Sequence, residues 1–125
     1  MVYLKIVVYD EDKQRCESMR RIISEAEPQE DVTMVLTAEG LLSYIDKIVP
    51  EVIFIHMDNR GNDGYFLIKR LRNRLSQVNV IIVAEKYQYV QELLKLRISG
   101  YVIGELTGER VKEELLNLRY HCEYM

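Results

Sequence analysis

The sequence predicts an α/β fold, a parallel sheet of five strands with helices on both faces. Short apolar runs and segments of helical periodicity alternate strictly along the chain, five of each. The run at residues 52–57 is β-branched and aromatic without polar alternation, which is typical of a strand buried on both faces. Strict alternation of strand and helix indicates a parallel sheet, because each crossover helix packs on one of its faces.

The strands are predicted from short apolar runs bounded by polar or turn-forming residues. In order they are residues 4–9, 32–37, 52–57, 78–84 and 101–103. The first run ends in the acidic residues Asp10, Glu11 and Asp12, and the third ends in a dense cluster of turn formers at residues 58–64.

The helices are predicted from apolar residues that recur at helical spacing, with charged residues between them. In order they are residues 13–27, 41–49, 65–75, 87–98 and a last helix from about residue 107. Pro28 and Pro50 end the first two. Five β/α units in 125 residues is the size of a doubly wound, flavodoxin-like (βα)5 sandwich with strand order 2-1-3-4-5, so we expect one domain over residues 1–125.

The composition excludes several functional classes. With 48% hydrophobic residues the chain buries a sizeable core, and the net charge of −3 argues against a bulk electrostatic grip on nucleic acid or on an anionic membrane. No run approaches the roughly 18 apolar residues of a membrane span. Cys16 and Cys122 lie far apart without a CxxC motif, which favours reduced, buried thiols. We therefore expect a soluble, cytoplasmic protein.

Acidic residues and a histidine are predicted to meet at one edge of the sheet. In this topology the strand order reverses between strands 1 and 3, and ligands bind in the crevice beyond their carboxyl ends. Strand 1 delivers Asp10 and Glu11 there, and strand 3 delivers His56 and then Asp58. Carboxylates that converge without a paired Lys or Arg favour a cation pocket. For Asp12 we favour a role as the N-cap of the first helix.

Across nearly its whole length the chain resembles the receiver domains of response regulators, and most closely those that precede LytTR-type DNA-binding domains. The resemblance rests on the acidic run at residues 10–12, on the frame V-I-F-I-H-M-D-N-R-G-N-D-G at residues 52–64, and on the aromatic Tyr101 on strand 5. No one motif is specific, but their order and spacing together are. The resemblance implies a part in two-component signalling.

The resemblance fails at the positions that carry the family's chemistry. His56 stands where the family has its phospho-accepting aspartate, and Ala84 where it has a small hydroxyl residue. Gly104 and Glu105 replace the family's Lys-Pro pair, while Tyr101 keeps the switch aromatic. Aspartyl phosphorylation needs a carboxylate nucleophile, Mg²⁺ and groups that hold the phosphoryl oxygens. The sequence therefore predicts a pseudo-receiver without a resident cofactor, in which a Mg²⁺ site at Asp10 and Glu11 is weakened by the neighbouring imidazole.

Three functions remain open at this point. The first is an atypical receiver that signals by protein–protein contact, with a partner or as a homodimer. The contact would use the face of helix 4, strand 5 and helix 5, where Tyr87, Tyr89 and Tyr101 would lie. Half-buried packing is the simpler explanation of each tyrosine taken alone. The second is a conventional phosphorelay receiver that uses Asp58 as phospho-acceptor. The third is a metal site, or a pH switch with a raised histidine pKa, at Asp10, Glu11 and His56.

Two further expectations concern what the chain lacks. It has no phosphate-cradling glycine loop, nucleophile elbow or metalloprotease helix motif, so we do not expect an enzyme. The basic residues of the third helix, Lys69, Arg70, Arg72 and Arg74, are expected to form a solvated surface.

Overall fold

The structure, a computed structural model, describes residues 3–58 and 62–120, with the backbone alone for residues 62 and 63. The strands are β1 (Lys5–Tyr9), β2 (Asp31–Val35), β3 (Val52–His56), β4 (Asn79–Ala84) and β5 (Gly100–Ile103). The helices are α1 (Lys13–Ala26), α2 (Ala38–Lys47), α3 (Asn62–Arg74), α4 (Val90–Lys95) and α5 (Gly108–Leu116). Each predicted strand and helix is therefore present.

The sheet is parallel and doubly wound, as the alternation of elements predicts. Its strand order is β2-β1-β3-β4-β5, and all four pairings are parallel. The reversal of order between β1 and β3 places the crevice at the carboxyl ends of these two strands. The flavodoxin-like fold class is confirmed.

Two hydrophobic cores lie on opposite faces of the sheet, because successive residues of a strand point to opposite sides. Ile53 and Ile55 of β3 belong to one core, and Val52 and Phe54 to the other. All four are fully buried, which explains why the sequence of β3 shows no polar alternation.

Helix boundaries differ from the predicted ones where backbone conformation overrides periodicity. The predicted helix at residues 87–98 is only Val90–Lys95, because Tyr89 (φ 54°) and Arg97 (φ 59°) adopt left-handed conformations at its two ends. Helix α2 begins three residues earlier than predicted, since the Thr37 hydroxyl caps it by accepting from the Gly40 N–H. Within the described residues, no helix combines the length and apolarity required to cross a bilayer.

The predicted cap and one predicted thiol are confirmed. The Asp12 carboxylate accepts a hydrogen bond from the Arg15 backbone N–H at 3.0 Å and so caps α1. Cys16 is a buried, free cysteine whose thiol approaches the Val8 carbonyl at 3.5 Å. Cys122 lies outside the described residues.

The expectation of a solvated basic surface on α3 is wrong for Arg72. Its side chain lies between the start of β4 and the end of α4, and the residue is only 8% exposed. The guanidinium donates to four backbone carbonyls, those of Leu75, Val78, Leu96 and Arg97. The pattern of charges along α3 does not reveal the role of Arg72, because its partners are backbone carbonyls from other parts of the fold that need a hydrogen-bond donor.

Candidate functional site

The crevice at the carboxyl ends of β1 and β3 holds the residues that the sequence selects. It is a cavity of about 320 Å³, and Asp10, Glu11, His56 and Asp58 all line it. Helices α2 and α3 supply its outer walls, through residues such as Glu39 and Arg70. The four residues that the sequence selects therefore line one cavity.

Asp10 is not an unpaired carboxylate, contrary to what we expect from the sequence. Arg15, one turn into α1, donates from Nε to Asp10 Oδ2 at 2.5 Å and from Nη2 to Asp10 Oδ1 at 2.8 Å. The Asp12 backbone N–H donates to the same carboxylate at 2.9 Å. Asp10 is 1% exposed whereas the side chain of Arg15 is 43% exposed, so the arginine reaches in from the rim. A built-in guanidinium thus takes up both oxygens of the acid.

The second acid of the pair turns away from the first. Glu11 is exposed and accepts a hydrogen bond from the Tyr9 hydroxyl at 3.1 Å. Burial, with the adjacent Glu11 carboxylate, raises the pKa of Tyr9. No group of three His, Cys, Asp or Glu side chains stands in a metal-holding arrangement in the two described stretches of chain. Asp10, Glu11 and His56 share the crevice, but Asp10 is paired with Arg15 and Glu11 with the Tyr9 hydroxyl.

His56 lies beside the Asp10–Arg15 pair, and its pKa moves opposite to the predicted direction. Its Nδ1 is 3.9 Å from Asp10 Oδ2, and its side chain is mostly buried. Burial lowers the pKa of His56, Asp10 opposes this, and the charge of Arg15 lowers it further; the net shift is below the usual 6.5. The pH-switch alternative requires a raised pKa, and this shift has the opposite direction, because burial disfavours the imidazolium and the charge of Arg15 adds to that effect.

A hydrogen-bonded bridge connects the crevice to Tyr101. The Gln88 side chain donates from Nε2 to the Asp58 carbonyl oxygen at 2.9 Å. The Gln88 backbone N–H donates to the Tyr101 hydroxyl at 3.0 Å, and that hydroxyl donates to the Lys86 carbonyl at 2.9 Å. Tyr101 also packs on the ring of Tyr87, with centroids 5.0 Å apart. The aromatic that the resemblance marks as a switch is therefore fastened to the loop between β4 and α4.

The other three altered positions bring no polar group into the crevice. Ala84, at the end of β4, is buried in the core. Gly104 is exposed, has a φ of 86°, and a Cβ there would meet nothing within 4 Å. Glu105 is also exposed.

Sequence reasoning missed Arg15 and Gln88. Arg15 is on the polar side of the α1 periodicity, and only the bend of the chain between β1 and α1 brings it onto Asp10. The one signal in the sequence for this contact is the separation of Arg15 from Asp10, five residues across a strand end and a helix cap.

Exposed apolar side chains occur on α4, β5 and α5. They are Leu94, Ile103 and Leu116, and the exposed Tyr87 precedes α4. β5 is an edge strand of the sheet, and α4 and α5 pack on opposite faces of that sheet, through Leu93 and Val111 respectively.

Comparison with known proteins shows the family. The family model described as the response regulator receiver domain matches residues 6–116, almost the whole chain. The chain belongs to the response regulator receiver domain family, the signal-receiving module of two-component systems. No curated protein matches the sequence significantly.

Solved structures show the same fold at low identity. A chemotaxis response regulator of Vibrio cholerae is 15% identical, with a TM-score of 0.72 over 92% of this chain and 98% of that chain. A CheY-like receiver domain protein from Methanospirillum hungatei is 16% identical, with a TM-score of 0.77 over 92% of each chain. A two-component response regulator from Legionella pneumophila is 17% identical, with a TM-score of 0.78 over 90% of this chain and 95% of that chain.

Proposed function

We propose that this receiver domain is atypical: it takes part in signal transduction by protein–protein contact, without aspartyl phosphorylation and without catalysing a reaction of its own. The observation that carries the proposal is the pairing of Arg15 with Asp10 in front of His56. The chain retains a receiver crevice, but Asp10, the acid that would bind a metal ion there, is paired with the guanidinium of Arg15.

Phosphoryl transfer to this crevice lacks its chemical requirements at the expected positions. An imidazole replaces the carboxylate nucleophile, so no acyl phosphate forms at residue 56. Both Asp10 oxygens already accept from Arg15, and Mg²⁺, which prefers oxygen ligands, would have to displace that guanidinium. Ala84 supplies no hydroxyl and Gly104 no cation to hold the oxygens of a transferred group.

The decisive experiment treats the purified chain with acetyl phosphate and Mg²⁺ and measures its intact mass, with beryllofluoride binding as a second readout. We expect no added phosphoryl group and no beryllofluoride binding. A double variant, His56→Asp with Arg15→Ala, restores the carboxylate nucleophile and frees Asp10, and serves as the gain-of-function comparison.

Two results would contradict this part of the proposal. Phosphorylation that disappears in Asp58→Asn would establish the alternative, a conventional phosphorelay receiver with a displaced acceptor. Zn²⁺ binding by isothermal titration that is lost in His56→Ala would establish the metal-reading alternative.

The proposed partner surface is the side formed by α4, β5 and α5, which carries Tyr87, Leu94, Ile103 and Leu116. Exposed apolar side chains of this size favour a protein–protein interface when a partner covers them. Tyr101 lies at its inner edge and connects it to the crevice through Gln88. The occupant is a protein partner or a second copy of the chain. The proposal gives this domain itself no contact with nucleic acid or a membrane, and the proposed location is the cytoplasm.

Analytical ultracentrifugation tests the homodimer form of this proposal. Leu116 is 84% exposed, so Leu116→Ser changes the surface without opening a cavity. Val49→Ser is the matched control, because Val49 is 64% exposed and lies away from that side, after α2. A dimer that weakens only with Leu116→Ser supports the homodimer; a wild type that stays monomeric at all concentrations removes it and leaves a different protein as the partner.

A further inference from the structure

Three arginines surround Tyr120 at the end of the sheet opposite the crevice. Arg97 donates from Nε to the Tyr120 hydroxyl at 2.9 Å. The guanidinium carbons of Arg72 and Arg119 lie 5.6 Å and 6.0 Å from the centre of the tyrosine ring. We call Arg97, Arg119 and Tyr120, with Arg72 beneath them, the arginine cluster.

The cluster concentrates positive charge in a protein whose net charge is −3. None of its three arginines forms an ion pair with a carboxylate among residues 3–58 and 62–120, whereas Arg15, Arg74 and Arg110 all do. Burial lowers the pKa of Arg72, and the charges of Arg97 and Arg119 lower it further, while the Tyr120 phenol opposes them. Like charges held together without a counter-ion repel one another and attract an anion from solution.

The three arginines of the cluster differ in how many of their side-chain N–H groups already donate a hydrogen bond. Arg72 spends its donors on four backbone carbonyls, so it contributes charge but no open hydrogen bond. Arg97 uses Nε on the phenol, and its backbone carbonyl accepts from Arg72. Arg119 is exposed, and its guanidinium carbon lies 6.0 Å from the centre of the Tyr120 ring. Apart from this phenol, the side-chain N–H groups of Arg97 and Arg119 have no hydrogen-bond acceptor among residues 3–58 and 62–120.

The cluster is held in place by the backbone rather than by flexible surface contacts. The side chain of Asn79, 1% exposed, accepts from the Tyr120 backbone N–H at 2.7 Å and donates to the Tyr120 carbonyl at 3.0 Å. The Ser99 hydroxyl donates to Asn79 at 2.8 Å and accepts from the Arg119 N–H at 3.3 Å. Arg97 adopts a left-handed conformation, φ 59°, that directs its side chain onto the phenol.

We propose that Arg97 and Arg119, positioned around Tyr120, form a binding site for a phosphate-type oxyanion. Two guanidinium groups beside one tyrosine, one on its hydroxyl and one 6.0 Å from its ring centre, match the several acceptor oxygens of a phosphate group, because each presents donors in a fixed planar fork. The anion is either free phosphate or a phosphate monoester on a small molecule. This site is separate from the crevice and does not depend on the function proposed for it.

The experiment titrates inorganic phosphate into the 125-residue chain by calorimetry at constant ionic strength, set with chloride. We expect saturable binding that weakens about tenfold or more when one guanidinium is removed. Arg97→Asn suits the left-handed backbone, and Arg119→Gln changes an exposed residue, so both variants keep the fold. Arg20→Gln is the matched control, an exposed arginine on α1, and should leave binding unchanged.

A second titration with phosphoserine identifies the source of the anion. Tighter binding of the monoester assigns the site to a phosphorylated small molecule, and equal or weaker binding assigns it to free phosphate; both support the site. Three results would overturn it: no saturable binding, an equal response to added chloride, or an equal loss in Arg20→Gln. Each would mean that the cluster is a solvated basic surface.

Discussion

The two ends of the sheet each bury a charged group, and they compensate its charge in opposite ways. At the crevice end the buried charge is the Asp10 carboxylate, and a guanidinium from the rim satisfies it. At the other end the buried charge is the Arg72 guanidinium, and backbone carbonyls satisfy it. One mobile side chain can neutralise a buried carboxylate, whereas the carbonyls that bind a buried guanidinium are held in position by the backbone of the fold.

The difference separates function from stability. The Arg15 side chain is partly exposed, so its bond with Asp10 can open at modest cost and the crevice can respond to a ligand or partner. The carbonyls around Arg72 belong to the end of α3, the entry to β4 and the end of α4, so that network joins three segments of the fold. We infer that substitution of Arg15 acts mainly on electrostatics and substitution of Arg72 mainly on folding.

The largest expected effect is that of Arg72→Ala. It leaves several buried carbonyls without a donor, each of which costs about 1–3 kcal/mol, so the free energy of unfolding should fall by about 3 kcal/mol or more. Urea denaturation followed by circular dichroism measures it. Arg74→Ala on the same helix is the control and should cost less than about 1 kcal/mol, since Arg74 pairs with the exposed Asp46. Equal losses in the two variants would contradict the structural role given to the bonds between Arg72 and the backbone carbonyls.

A smaller effect is expected for Arg15→Ala, which leaves the buried Asp10 carboxylate with the Asp12 N–H but no cation. The expected loss of stability is about 1–2 kcal/mol, reduced by the exposure of Arg15. The pKa of His56 should also rise, because one of the charges that lowers it is removed. An NMR titration of the His56 ring measures the pKa. An unchanged pKa would mean that Arg15 does not act on the imidazole.

A contribution of about 1 kcal/mol is expected from the Asp12 cap beside this pair. Asp12→Ala removes the acceptor for the Arg15 N–H and should lower stability by that amount, while Asp12→Asn keeps an acceptor and should restore most of it. Thermal or urea unfolding compares the three proteins. If both variants lose equally, the charge of Asp12 rather than its hydrogen bond matters.

The smallest expected effect is on the pH dependence of stability. The pKa of His56 lies below 6.5 in the folded chain, so the unfolded chain takes up the proton first as the pH falls through about 6.5. The histidine therefore contributes no penalty above that pH and destabilises the fold increasingly below it. His56→Gln should flatten the profile between about pH 7.5 and pH 5.5 while His121 is present in both proteins. Parallel profiles would contradict the lowered pKa.

Much of the molecule follows from local patterns in the sequence. The uninterrupted apolar run of β3 predicts a strand buried on both faces, and Phe54 and Ile55 fall in opposite cores accordingly. The acidic residues after β1 and the histidine at the end of β3 are placed together by the topology alone, since the carboxyl ends of neighbouring parallel strands meet at one edge. Asp12 is recognisable as a cap because capping depends on residues three apart.

Only the tertiary structure decides how the charges are compensated. Arg15 faces Asp10, Gln88 reaches Asp58, and Arg72 reaches the carbonyls of another helix, across separations of 5, 30 and 24 residues. The direction of the His56 pKa shift depends on the same contacts. The fold class is determined by hydrophobic periodicity, which is local and repeated many times along the chain. A long polar side chain can reach many hydrogen-bond partners. Which one it contacts depends on which buried polar group still lacks a partner once the backbone has folded.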